Sequence, residues 1–252
     1  MPNTKDMPIA YRPIKILVYG PPKVGKTLFA ATFTDSEKSF IIDTERGLTT
    51  LRGLDREYET VLEHDRTRPT AFRRVRELIL TKSKDMDEND TLVIDSLSVV
   101  NDYAFYEAQR IMNSINKSPT FDEWRQTLQF MLDLCDLLIS LKCNVVCTAH
   151  EDLTKDESLG ILTSRPYFSG QSQVKIPYKF DEVYKLSINA KREHIITTHG
   201  DLRTQAGSRL NRCGVIETSF TWVWSDSKHS INPVYERILE AESINKGGKK
   251  DA

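Results

Sequence analysis

Gly20-Pro21-Pro22-Lys23-Val24-Gly25-Lys26-Thr27 is the segment of this chain best equipped for chemistry. Its spacing is Gly-x-x-x-x-Gly-Lys-Thr, and each fixed position has a physical task. Gly20 and Gly25 let the backbone come close to phosphate oxygens that a Cβ would hold off. The amides of such a loop turn inward as a nest for anions. Lys26 reaches the β- and γ-phosphates, and the Thr27 hydroxyl is an oxygen ligand of the kind Mg²⁺ prefers. The motif has meaning only between a strand and a helix. Both are legible: Ile14-Lys15-Ile16-Leu17-Val18-Tyr19 precedes it and Leu28-Phe29-Ala30-Ala31 follows. A helix starting there adds its free N–H groups and positive end to the anion site. The expected ligands are ATP and Mg²⁺; what the energy is used for does not follow from the motif.

Three further apolar runs end in polar residues. Phe40-Ile41-Ile42 ends in Asp43-Thr44-Glu45, Thr91-Leu92-Val93-Ile94 in Asp95, and Asn144-Val145-Val146-Cys147-Thr148-Ala149 in His150. In a parallel sheet these ends share the carboxyl edge with the phosphate loop, where ligands bind. Glu45 is expected to polarise a water in line with the γ-phosphate; the alternative is a solvated acid or a partner for Arg46. Asp95, on a strand expected beside that of the loop, would stand behind Thr27 as the second Mg²⁺ group; otherwise it caps the next helix. His150 would sense the γ-phosphate, or be a satisfied strand-end histidine.

The elements that must position these groups alternate between periods. Helices are predicted to about Phe33, over Ala71 to Thr81 with Thr70 as N-cap, over Val99 to Ile115, and over Phe121 to Leu141. Phe72, Val75, Leu78 and Ile79 face inward, while Arg73, Arg74 and Arg76 form a wet face. Phe121, Trp124, Leu128, Met131, Cys135 and Leu138 read as a core stripe. Residues 49–55 suggest a helical turn and 59–62 a short strand. Residues 151–180 show little periodicity and read as a long functional loop. There Lys155, Arg165, Tyr167, Phe168, Lys175 and Lys179 interleave cations with rings, a composition suited to single-stranded nucleic acid. The acids Glu151, Asp152, Asp156 and Glu157 dilute that signal, and an ordinary loop is the alternative. Strands over 181–188, 194–198 and 219–224 suggest an antiparallel extension. Arg203 and Arg209, on polar connections, are candidates for a finger into a neighbouring subunit's ATP site. Pro233 to Glu240 is a last helix. The expected organisation is an arm at 1–12, one α/β domain at 13–243 and a flexible tail at 244–252.

Composition sets outer bounds. The 252 residues suffice for one α/β core, and the net charge of −1 argues against a globally basic DNA-coating protein. No apolar run approaches the roughly 20 residues that span a bilayer. The first residues lack a signal-peptide core. A cytoplasmic protein with no membrane partner is expected, the host's cytoplasm if a phage encodes it. Cys135, Cys143, Cys147 and Cys213 form no CxxC pair and are expected to be reduced thiols, mostly buried.

In the order of these parts the chain resembles the RecA-like core of the P-loop NTPases. Phe40 to Glu45 is similar to the strand ending in that family's catalytic glutamate, and Val93-Ile94-Asp95-Ser96 to its Walker B strand. Val145 to His150 is similar to the strand ending in its ATP sensor, with the DNA-binding loop after it; His150 stands where recombinases commonly carry glutamine. More narrowly, the chain resembles the small phage ATP-binding proteins of the AAA-type, RecA-core recombination group. The resemblance implies an α/β fold with a mostly parallel central sheet, helices on both faces and an antiparallel C-terminal extension. It implies ATP hydrolysis on single-stranded DNA in recombination or replication. It also implies a homo-oligomer, ring or filament, and a single-strand-binding protein as a further partner. Other readings are a nucleotide-gated helicase loader and, against the single arginine of residues 151–180, a small-molecule kinase.

Overall fold

A computed structural model describes residues 13–35, 37–115, 117–156, 160–222 and 232–247. The proposed arm at 1–12 lies outside them, as do Val223, Trp224 and the last five residues. In chain order the elements are β1 (Lys15–Gly20), α1 (Lys26–Ala31), β2 (Phe40–Asp43), β3 (Glu57–Thr60), α2 (Ala71–Lys82), β4 (Thr91–Asp95), α3 (Leu97–Ile111) and α4 (Phe121–Ser140). Then come β5 (Asn144–Asp156), β6 (Ile161–Pro166), α5 (Ser172–Lys175), β7 (Glu182–Ile188), β8 (His194–Thr197), β9 (Gly207–Ser208), α6 (Arg209–Arg212), β10 (Ser219–Trp222) and α7 (Pro233–Gly247). The strands form one sheet in the order β10-β8-β7-β1-β5-β4-β2-β3, with β6 on β5 and β9 on β7. From β7 to β3 the neighbours run parallel, and β8 and β10 add antiparallel.

Because side chains alternate across a strand, the parallel strands divide their residues between two cores. Leu17 and Tyr19 of β1, Ile42 of β2, Ile94 of β4 and Cys147 of β5 join α2, α3 and α4 on one face. Ile16 and Val18, with Ile41, Val93 and Val146, join α1 and α7 on the other. The mixed α/β fold, its mostly parallel sheet and its antiparallel extension are as the sequence predicts.

Several expectations are corrected. β5 lies between β1 and β4, so Asp95 is not on the strand beside the phosphate loop. Segment 151–180 is not a free loop: β5 runs on to Asp156 and β6 returns along it. Two of the acids that dilute its basic character meet partners on β6, Asp152 pairing with Arg165 at 3.1 Å and Glu151 accepting from the Ser164 hydroxyl at 2.5 Å, while Glu157 lies outside the described residues. Helix α4 buries Thr127, Met131, Leu134, Cys135 and Leu138, while Phe121 (79% exposed) and Trp124 (39%) lie outside the core. Trp124 stacks on Phe105 instead, with ring centroids 4.5 Å apart. Thr70 caps α2 by position only; the Glu63 carboxylate accepts from Thr70 N and Ala71 N at 2.8 and 3.0 Å. The arginine face of α2 is partly paired, Arg74 with Glu59 and Arg73 with Glu107. The last helix continues past Glu240 to Gly247, so helix reaches into the predicted tail. Cys135, Cys143 and Cys147 are buried free thiols and Cys213 is an exposed one.

Candidate nucleotide site

At the carboxyl edge of β1 the chain turns through the phosphate loop into α1. Gly20 is required here by space: a Cβ would sit 2.2 Å from the Leu186 carbonyl oxygen of β7. Gly25 takes the left-handed conformation (φ 90°) that glycine alone adopts without strain. Lys26 curls over the loop, its Nζ donating to the Gly20 and Pro21 carbonyls at 2.9 Å each. Burial holds its pKa below the usual lysine value, against the opposing pull of Glu45, Asp95 and Glu151. Pro22, Lys23 and Thr27 help to line a cleft of about 580 Å³ that also takes in Glu45, Asp95, His150 and His194. The sheet therefore brings together the phosphate loop and the three strand-end groups that the sequence singles out.

Asp95 reaches the loop across β5. The residue between them is Thr148, small enough to leave the path open, and its hydroxyl donates to Asp95 Oδ1 at 2.5 Å. The Thr27 hydroxyl donates to Asp95 Oδ2 at 2.7 Å. Burial, first of all, raises the Asp95 pKa above the usual carboxylate range, with the two hydroxyls acting the other way. A buried carboxylate beside a threonine hydroxyl fits Mg²⁺: the donors are hard oxygens, and a cation would relieve the cost of the buried charge. Asp95 is not the helix cap; Ser96 fills that place and accepts from Val99 N at 3.4 Å. The Asp95–Ser96 peptide is cis.

Glu45 stands one turn beyond β2. The Asp43 carboxylate shapes this turn, accepting from Glu45 N at 3.0 Å and from the Thr60 hydroxyl at 3.0 Å. Glu45 Oε1 accepts from the Ser96 hydroxyl and lies 2.5 Å from His150 Nε2. Its partner is thus His150, not Arg46. The His150 hydrogen bond, ahead of the opposing effect of burial, holds the Glu45 carboxyl below its usual pKa. His150 is in register with Gly20 of the phosphate loop. Its own backbone is tied on both sides: its N–H donates to the Ser98 hydroxyl at 3.0 Å, and its carbonyl accepts from Tyr167 N at 2.9 Å.

The nucleic-acid candidates divide. Lys155 and Lys175 are exposed, and Tyr167 is 40% exposed. Phe168 is corrected: it is 2% exposed and packs in the core with α3 and α4, so its ring presents no face to a base. Arg165 is engaged by Asp152, and Lys179 by Asp136 at 2.5 Å. Arg209 pairs with Asp181 at 2.7 Å, beside the start of β7 and so at the sheet edge opposite the phosphate loop. Arg203 is exposed, and its carbonyl accepts from Ser164 N of β6. Neither arginine lines this chain's own cleft.

Sequence reasoning missed Thr148 and His194, and it placed Ser96 after the Walker B strand without its hydrogen bond to Glu45. Thr148 reads as strand filler, although its place two residues before His150 puts it on the same side of the strand. His194 carries no local signal, because only the folding of the antiparallel extension brings it to the loop.

The profile of a family described as an AAA domain matches residues 12–210. No curated protein matches the sequence. The matched span runs from before β1 into α6, and so includes Lys26, Glu45, Asp95 and His150. The chain belongs to this AAA domain family and is an AAA-type P-loop nucleotide-binding protein.

Proposed function

We propose that the protein hydrolyses ATP and couples each turnover to single-stranded DNA, in recombination or replication of the phage type. The observation that carries the reading is the 2.5 Å contact between Glu45 and His150, because β5 continues directly from His150 into the β5–β6 hairpin. Lys26 and the loop amides hold the triphosphate. Mg²⁺ held by Thr27, with Asp95 behind it, would spread the charge on the phosphate oxygens. The Glu45 carboxylate orients a water and takes its proton as the water oxygen bonds to the γ-phosphorus and the bond to the β–γ bridging oxygen breaks. Phosphate leaves, and ADP remains. A γ-phosphate competing for His150 alters the Glu45 contact and, through the His150–Tyr167 hydrogen bond, the segment that carries Tyr167 and Lys175. That segment, with Lys155 on the hairpin, supplies the DNA contacts. Arg203 or Arg209 acts in a neighbouring copy's site within a ring or filament, and a single-strand-binding protein delivers the DNA.

The test is ATP hydrolysis with and without single-stranded DNA at low salt, where phosphate contacts are strongest, beside light scattering for assembly size. Stimulated turnover that declines steeply with salt is expected. A rate and a gel mobility that ignore DNA would remove the nucleic-acid half. Phosphate transferred to an acceptor instead of released would replace hydrolysis with kinase chemistry.

A further inference from the structure

We propose that His194 is a positioning residue for the phosphate loop, bracing the Val24–Gly25 peptide so that the Gly25 N–H faces the triphosphate; this rests on nucleotide binding at that loop. His194 begins β8, opposite Ile188 of β7 and Trp222 of β10. That register puts it at the carboxyl edge, where its Nδ1 lies 3.1 Å from the Val24 carbonyl oxygen. A carbonyl only accepts, so Nδ1 carries the proton and donates. In a planar trans peptide the C=O and the following N–H point in opposite directions. Holding the Val24 carbonyl outward, toward β8, therefore aims the Gly25 N–H at the inner side of the loop.

The brace sits where the loop is softest. Gly25 has no side chain to limit its backbone and takes φ 90°. A Cβ built there would lie 3.6 Å from the His194 ring and 3.5 Å from that of Trp222, so both rings rest against the loop at Gly25. The support continues inward: the His194 and Trp222 rings are 5.8 Å apart, and Trp222 meets Phe29 of α1 edge-on at 5.8 Å. The antiparallel extension thereby acquires a task, namely to hold in advance an amide that would otherwise be ordered at the cost of binding energy.

Two substitutions separate the hydrogen bond from packing. His194→Leu keeps bulk and removes the donor, while His194→Asn places an amide N–H near the position of Nδ1. The measurements are ATP affinity in the presence of Mg²⁺ and the melting temperature of the nucleotide-free protein. His194→Leu is expected to weaken ATP binding about tenfold, the size of one lost hydrogen bond, with the melting temperature of the empty protein held. His194→Asn should recover most of that affinity. The proposal is overturned if His194→Leu binds ATP like the wild type. It is equally overturned if affinity and melting temperature fall together and His194→Asn recovers neither, since the ring then only packs. Lys26→Ala keeps the two readings apart. Loss of binding in Lys26→Ala with normal binding in His194→Leu sinks the brace alone, whereas normal binding in Lys26→Ala sinks the site on which it rests.

Discussion

Replacing Glu45 with Gln changes one oxygen of the site for an NH₂ group and little else. The amide oxygen of glutamine can still accept from the Ser96 hydroxyl, and the side chain still spans the gap to His150, so the turn shaped by Asp43 should survive. What is lost is the negative charge and the capacity to take a proton. Correctly placed general bases contribute about 10²–10⁴-fold to rate, roughly 3–5 kcal/mol of barrier at the usual conversion. Glu45→Gln should therefore bind ATP as the wild type does and release phosphate at least about a hundredfold more slowly. The pH profile supplies a second check. Because His150 holds the Glu45 carboxyl below its usual pKa, the base form is present at neutral pH and is lost only as the pH falls through that depressed value. The acid limb of the wild-type kcat/KM profile, which reports the nucleotide-free protein, should thus lie below the ordinary glutamate range. Paired equilibrium titrations with a non-hydrolysable analogue and phosphate-release assays at sub-saturating ATP from about pH 3 to 8 measure both. Normal turnover by Glu45→Gln would remove Glu45 from the chemistry, and parallel loss of binding and turnover would show that the substitution had disturbed the loop instead.

Asp95→Asn should lower Mg²⁺ affinity or Mg²⁺-dependent turnover about 10–100-fold, the usual cost of losing a group behind a metal ligand. In the same variant the nucleotide-free protein should not melt earlier. The buried Asp95 has a raised pKa, so its charge costs stability as the pH rises above the unfolded value, and the neutral amide removes that loss. Unfolding midpoints from pH 4 to 8 should therefore fall less with rising pH in Asp95→Asn than in the wild type. Phe168→Ala should destabilise the fold by about 3–5 kcal/mol, as large-to-small core changes do, and any effect on DNA should vanish once stability is restored by nucleotide. Urea denaturation checks the first part, and a stable Phe168→Ala protein with a specific DNA defect would return Phe168 to the interface.

The chemistry near the chain's start was legible because it is local. Gly20 to Thr27 specify their turn within a few residues, and the apolar runs before Glu45, Asp95 and His150 mark strands whose ends must be polar. Parallel pairing then suffices to bring those ends to one edge, whatever the strand order. Local spacing says nothing about which strands are neighbours, and that is where tertiary structure decided. Insertion of β5 between β1 and β4 puts Thr148 between Asp95 and the strand of the phosphate loop, where its hydroxyl donates to Asp95 while Thr27 reaches the same carboxylate directly. Residues 151–180 looked irregular because charged cross-strand partners break the alternation of a buried strand; their pairing appears only when Asp152 meets Arg165. Phe168 and Trp124 show the same limit. A ring in a sequence can serve core or surface equally, and only the packing of α3 and α4 buried one and left the other stacked on Phe105. His194 is the extreme case: its contact with Val24 spans most of the chain and exists because β7, β8 and β10 fold back beside β1.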